Sequence, residues 1–477
     1  RAVCRAISNL TVSGFLSRCG TLTFSWRGWL ILSGTNTYSG GTTVSAGTLT
    51  VSGSIAGGVT VSAGTLAGNG SVAGTVQVAS GGTLTGVQGS GLTMGGLQLN
   101  SGTNVDVTLG NTFAGNVFTV NGGVTLDGTL NVTQAAGFGN GLYTLISYTG
   151  SLTDNGLDVT ALSDGYSAEV QTSVTGQVYL IVSGGTSSTL FWNGSTTTAT
   201  GTIQGGTGTW TADGTTNWTD SAGTASLAWN SGFAVFAGTA GTVTVDAGGV
   251  SATGMQFATS GYTVSGGTLT LAGTGPTLIR VGDGTVSGAS MTATISSVLD
   301  GTVGLEKSDY GTLILSGANT YTGGTTLTAG TLQVDADNNL GGTGGLTFNG
   351  GTLATTATFT SARTVALTGA GTLAPAMGTT LTLSNVISGA GGLIKSGAGT
   401  VILSNTSNTY TGGTTIAAGT LQIGNNNSLG NTSGGITFTG GTLATTANMT
   451  VARTVLLSGN GTLTPSTTTT LTLSGVV

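Results

Sequence analysis

Two pairs of neighbouring residues carry the side chains of a nucleophile and its base, Lys307-Ser308 and Lys395-Ser396. A deprotonated lysine can activate a serine hydroxyl when an oxyanion site and a substrate pocket stand beside it. Both pairs occupy the same place in successive copies of one repeat, next to the turn before a strand. That recurrence reads as structure, so no catalytic residue is assigned. Gly391-Gly-Leu-Ile-Lys395-Ser places Ile394 where a phosphate loop needs glycine, and no nucleotide site is expected there.

Asp154, Asp158 and Asp164 form the one local set of carboxylates. Glycoside hydrolysis needs paired carboxylates, so a polysaccharide-active β-helix enzyme is the alternative reading; it requires these three to line one groove with a basic residue opposite. Asp154-Asn-Gly is also an ordinary turn sequence, which is the simpler account. The calcium-binding glycine-rich nonapeptide is absent, so neither a metal site nor a cofactor is assigned. The remaining candidates are Trp192, Trp210, Trp218 and Trp229, the aromatic-dense part of the chain. Two exposed, coplanar indoles would stack on host-surface or matrix glycans, whereas buried ones would fill the end or seam of a stack.

Composition narrows the classes further. The 477 residues include 90 Gly, 3 Pro and no His, and only 5% are charged. Without histidine, the commonest general base and most zinc sites are gone. A net charge of −6 gives no footprint for nucleic acid. No apolar run approaches the roughly 20 residues of a membrane helix. Abundant Val, Leu and Thr argue against disorder, and glycine without a three-residue period excludes collagen.

These residues must be positioned by strands. Leu313–Val334 (LILSGANTYTGGTTLTAGTLQV) recurs at Leu30–Val51 and, with one inserted residue, at Val401–Ile423. A longer unit repeats at an offset of 89 to 90 residues, matching Tyr321 to Tyr410, Arg363-Thr-Val to Arg453-Thr-Val and Pro375 to Pro465. Apolar residues alternate with Thr, Ser or Gln between glycine-marked turns, the period of a half-buried strand. Each unit is too thin to bury a core alone, and stacked units cover one another. The expected fold is all-β, a right-handed parallel β-helix with about 20 to 25 residues per rung. Asn319 and Asn408 are expected to bond local backbone in a turn, with Tyr321 and Tyr410 capping the coil. Thr-Thr pairs (Thr325-Thr326, Thr414-Thr415) are too irregularly spaced to predict a flat threonine ladder.

The chain divides into residues 1–29, which depart from the repeat and are expected to be disordered or not native to the array; 30–183, solenoid repeats; 184–292, a Trp-bearing segment continuing the solenoid; and 293–477, the long repeat, truncated at its C-terminal end. Around Gly139–Ile146 and Gly176–Val182 the runs turn continuously apolar, which predicts doubly buried strands or the closing of one stack. Cys4 and Cys19 lie in the atypical first segment, and their spacing demands no disulfide. Lacking an initiator Met and stopping within a repeat, the chain reads as a piece of a longer protein.

Gly311–Val334 and its copies, GTLxLSGxNTYTGGTTxxxGTLxV, resemble the autotransporter-associated β-strand repeat, also called the passenger-associated transport repeat. The resemblance implies a non-enzymatic surface passenger of stalk or adhesin type, at the cell surface or secreted. It also implies a partner, an outer-membrane β-barrel translocator, whose strands this sequence does not contain.

Overall fold

Alternating residues on either side of each Gly-Thr-Leu become the two faces of a rung. The computed structural model describes residues 9–17, 20–110, 115–163, 165–172, 176–184 and 189–477; Cys4, Cys19 and Asp164 fall outside them. Two compact units result, one of the described residues up to Thr189 with Asp283–Val286, the other of Leu190–Gly282 and Ser287–Val477. Three short 3-10 turns, Val286–Ser290, Asp337–Leu340 and Asn426–Leu429, are the helical segments among the described residues. Both units are parallel β-solenoids.

In the first unit, Gly-Thr-Leu stacks on Gly-Thr-Leu. Thr48 and Leu49 pair in register with Thr65 and Leu66, and these with Thr83 and Leu84. The stack continues through Asn104-Val105 to Thr129-Leu130. The leucines and valines of this file are buried in one core. Pairing then changes sign. Gly141–Tyr148 lies antiparallel to Gln177–Gly184, which lies antiparallel to Tyr166–Gln171. Tyr143, Leu145, Val178 and Leu180 join the same core. Antiparallel strands laid over a last rung cover apolar side chains that a further parallel rung would otherwise cover.

The second unit carries its strands on sheets of ten, twelve and six strands, with smaller ones beside them. Leu313 pairs with Leu332, Leu332 with Leu353 and Leu353 with Leu373, so the recurring segment Leu313–Val334 is one turn of the coil. The longer repeat is not a whole number of turns. Leu305–Ser308 sits in the ten-stranded sheet, but its counterpart Leu393–Lys395 sits in the twelve-stranded one. Likewise Thr312–Leu315 lies in the twelve-stranded sheet and its counterpart Thr400–Leu403 in the six-stranded one. Equivalent residues of successive long repeats therefore face different sides.

The glycine of Ala-Gly-Thr-Leu is required by both conformation and space. Gly330 and Gly419 each have φ of 62°. A Cβ on Gly330 would lie 2.3 Å from the Asp309 carbonyl oxygen, and one on Gly419 2.4 Å from that of Gly399. Backbone of the preceding rung fills the place of the side chain.

Irregular spacing in the chain does not carry over to the sheets. Thr312, Thr331, Thr352 and Thr372 are mutual neighbours on successive rungs, as are Thr380, Thr400, Thr420, Thr442 and Thr462. Extra residues are absorbed in the turns, leaving the strands in register. The Thr-Thr pairs form no such file: Thr325 stands between Leu305 and Leu346, and Thr414 between Leu393 and Ile436.

Candidate functional site

The Lys-Ser pairs come first, since they carried the catalytic question. Lys307 Nζ donates to the carbonyls of Ser308, Asp309 and Ala329 at 2.7, 2.8 and 3.2 Å. Lys395 Nζ donates to the equivalent carbonyls of Ser396, Gly397 and Ala418. Both ammonium groups are fully buried, and each ties a turn to the next rung. Neither bonds its neighbouring serine hydroxyl; the Ser308 hydroxyl is buried without a partner. This arrangement pins backbone and activates no nucleophile.

Burial pushes Lys307 down from 10.5 to about 7, and Lys395 to about 8. Desolvation dominates in both, and at Lys307 the Asp309 charge opposes it. A folded-state value below the unfolded one means that the unfolded chain holds more protons across the interval. Stability is therefore expected to rise with pH from about 7 towards 10 and to be flat just below 7. Urea midpoints at pH 7 and pH 9 should show the rise, and Lys307→Met with Lys395→Met should remove it. Equal midpoints in the parent would contradict it.

The Asn-Thr-Tyr of each copy holds rungs together at longer range than its turn-like sequence suggests. Asn319 Oδ1 accepts from the Leu299 amide at 2.8 Å and its Nδ2 donates to the Asn339 carbonyl at 2.6 Å, each 20 residues away. Asn408 bridges Ile387 and Ser428 in the same way, and Asn36 bridges Leu16 and Ser54. The local-turn expectation is corrected: each asparagine joins the rung before to the rung after. Tyr321 and Tyr410 do not cap an end but are fully buried, bonded to the hydroxyls of Thr325 and Thr414 at 2.6 and 2.7 Å. Burial holds both phenols up at about 12. Asn319→Ala strands one buried amide and one carbonyl and is expected to cost about 1–3 kcal/mol, read as a lower urea midpoint with unchanged slope.

Arg363 and Arg453 serve the 3-10 turns. Arg363 donates to the carbonyls of Gly344, Asp337 and Gly341 at 2.7, 3.0 and 2.7 Å and to the Asp337 carboxylate at 3.1 Å. Arg453 repeats this on Asn426, Leu429, Gly430, Asn431 and Gly434. With Arg280, paired to Asp309, all five basic residues after Arg27 are buried. No cation beyond Arg27 is offered to a ligand.

The four indoles behave as packing. Trp192, Trp210 and Trp218 are 0% exposed and Trp229 is 7% exposed. Their rings meet edge-on or tilted at 4.5 to 5.2 Å between centroids. Trp192 and Trp229 donate to the carbonyls of Gly206 and Ser251. The glycan-stacking expectation needed two exposed, coplanar faces and meets four buried rings instead. An antiparallel pair, Phe191 with Thr219 and Trp192 with Trp218, lies at this N-terminal end of the second core, where large rings fill the first rungs.

Asp154 ends strand Leu152–Asp154 and Asp158 begins strand Asp158–Val159, both exposed on either side of one short loop. Asp154 accepts from the Gly156 amide and the Thr172 hydroxyl, the bonding of a turn former. No lysine or arginine occurs between Arg27 and Arg280, so the first unit supplies no cation opposite them from residues 28–189. Among the described residues no group of three or more His, Cys, Asp or Glu forms a metal site. A cleft of about 700 Å³ opens nearby, lined by Val132, Gln134, Phe138, Ala161, Ser163 and Tyr166 among others, but neither aspartate lines it.

The passenger-associated-transport-repeat family model matches residues 28–51, 305–334 and 393–423. The adhesin BmaC autotransporter of Brucella suis biovar 1 (strain 1330) is 48% identical over 342 residues, covering 70% of this chain and 10% of the relative. The chain spans about a tenth of the length of that curated relative.

Proposed function

We propose that this chain, a β-solenoid carrying three passenger-associated transport repeats, is part of an autotransporter passenger with a stalk or adhesin role outside the cell. The observation that carries the reading is the coincidence of repeat and rung: the matched segment is one turn of a coil whose polar side chains are spent on neighbouring rungs. Such a chain needs no ligand to fold, because each completed rung offers its edge as template for the next. Export as an unfolded chain through an outer-membrane β-barrel, followed by folding outside, suits this architecture. The identity to an adhesin supports an adhesive rather than enzymatic role. Neutral or acidic outward residues, with the basic ones after Arg27 buried, favour contacts through hydroxyl and amide groups to host-surface or matrix glycans.

The test is made on intact cells bearing the full-length protein. Protease shaving is expected to release peptides from residues 28–477 without lysis, and the purified chain is expected to compete with those cells for host-surface attachment. Release only after lysis would overturn the surface reading, and attachment unaffected by saturating chain would overturn the adhesive one.

A further inference from the structure

A solenoid of near-identical rungs has a pairing problem that its backbone cannot solve. Strand Thr277–Val281 pairs in parallel with Leu305–Ser308, Ile279 opposite Lys307 and Arg280 opposite Ser308. One long repeat later, Leu393–Lys395 offers the same inward leucine and lysine. Backbone hydrogen bonds do not read sequence, and while the intervening rungs are still unfolded a slipped pairing is opposed only by the slowly growing entropy of closing a longer loop. Something must reject the wrong partner.

Among the differences between the two sites, one pair of positions brings opposite charges into the core. Arg280 Nη2 lies 3.0 Å from Asp309 Oδ2, both side chains fully buried. Arg280 Nη1 donates to Gln256 Oε1 at 2.9 Å, and Gln256 Nε2 to the Gly282 carbonyl at 3.1 Å, so the network crosses three successive rungs. Asp309 sits at φ 66°, the left-handed region, where its counterpart Gly397 has φ 70°. The residue that corresponds to Arg280 is Ala374, since Leu373 opposite Lys395 matches Ile279 opposite Lys307. Charge pair in one repeat, alanine and glycine in the next.

We propose that the Gln256–Arg280–Asp309 network is a register lock, which selects Leu305–Ser308 over Leu393–Lys395 as the partner of Thr277–Val281. In the slipped register Arg280 meets Ser396 and Gly397, and a buried guanidinium is left without its carboxylate. Breaking a buried pair in this way discriminates by about 10²- to 10³-fold. An aspartate in a conformation that favours glycine is accounted for by the carboxylate it brings to Arg280.

Disulfide trapping in the full chain, with Cys4→Ser and Cys19→Ser, reads the register. Leu278 and Glu306 are Cα partners on adjacent strands. Parallel neighbours about 4.8 Å apart fall within disulfide reach. Leu278→Cys with Glu306→Cys reports the native register, and Leu278→Cys with Ile394→Cys the slipped one. After refolding from urea and oxidation, the parent is expected to form the 278–306 bond alone. Asp309→Gly is expected to yield the 278–394 bond in at least a tenth of molecules. Because Asp309→Gly leaves Arg280 without its carboxylate, the double variant Arg280→Ala with Asp309→Gly is the decisive one. It removes both charges and installs the Ala–Gly combination that the next repeat carries in its own sheet; circular dichroism checks that it folds, and it is expected to populate both bonds. A double variant that forms the 278–306 bond alone would overturn the lock.

Discussion

Arg363→Ala is expected to destabilise the second unit by about 3–5 kcal/mol, because it leaves three carbonyls without their donor at about 1–3 kcal/mol each. The side chain reaches back 19 to 26 residues and satisfies three carbonyls and the Asp337 carboxylate, which has 34% of its side chain exposed. A 3-10 turn ends in carbonyls with no partner of their own, and here the guanidinium from the following rung supplies the donors. The carbonyls carry most of the effect, since a half-exposed ion pair contributes little. Arg363→Lys should recover little, because one ammonium cannot reach acceptors spread around a planar fork. Urea unfolding followed by circular dichroism reads both variants. If Arg363→Lys matched the parent, the forked geometry would be irrelevant and the clamp interpretation wrong.

Trp210→Ala is expected to cost a further 3–5 kcal/mol in its own right, through the cavity left where no neighbour can collapse. Trp210 touches Trp218, Trp229 and Phe236 at 4.9 to 5.6 Å between ring centroids, so its loss opens the first rungs of the second core. Intrinsic fluorescence should shift to the red and the unfolding midpoint should fall together. The opposite pattern, unchanged stability with lost attachment to glycan-coated surfaces, would restore the indoles as ligand contacts and displace the packing account.

Together these two changes separate what a reader of the sequence sees from what the fold adds. Leu313, Leu332, Leu353 and Leu373 were legible as core because alternation states which residues of a strand point inward. The Lys-Ser pairs were legible as structure because they recur, though their three-carbonyl cages were not. For Asn319 the sequence suggested a local turn, since Asn before a hydroxylated residue is a common turn signal. Its real partners lie 20 residues away on either side, a distance that only the pitch of the coil brings to hydrogen-bond length. The tryptophans carried two readings with the same residues, and exposure alone decided between them.

The sequence by itself determined that this chain is a stack of rungs, that Leu313–Val334 is about one of them, and that it holds no histidine. Those conclusions depend on period, repeat and residue type, which are local and need no third dimension. The tertiary structure decided where every buried cation goes, which threonines form files, and that equivalent residues of successive long repeats turn to different sides. Each of these depends on which backbone groups a neighbouring rung leaves unpaired, and that is settled by the number of residues per turn, not by the residues within one. Lys307 and Arg363 look like surface chemistry in the chain and are buried in the fold because the carbonyls they satisfy belong to turns that only stacking brings within reach; Arg280 is buried because stacking sets Gln256 and Asp309 on either side of it.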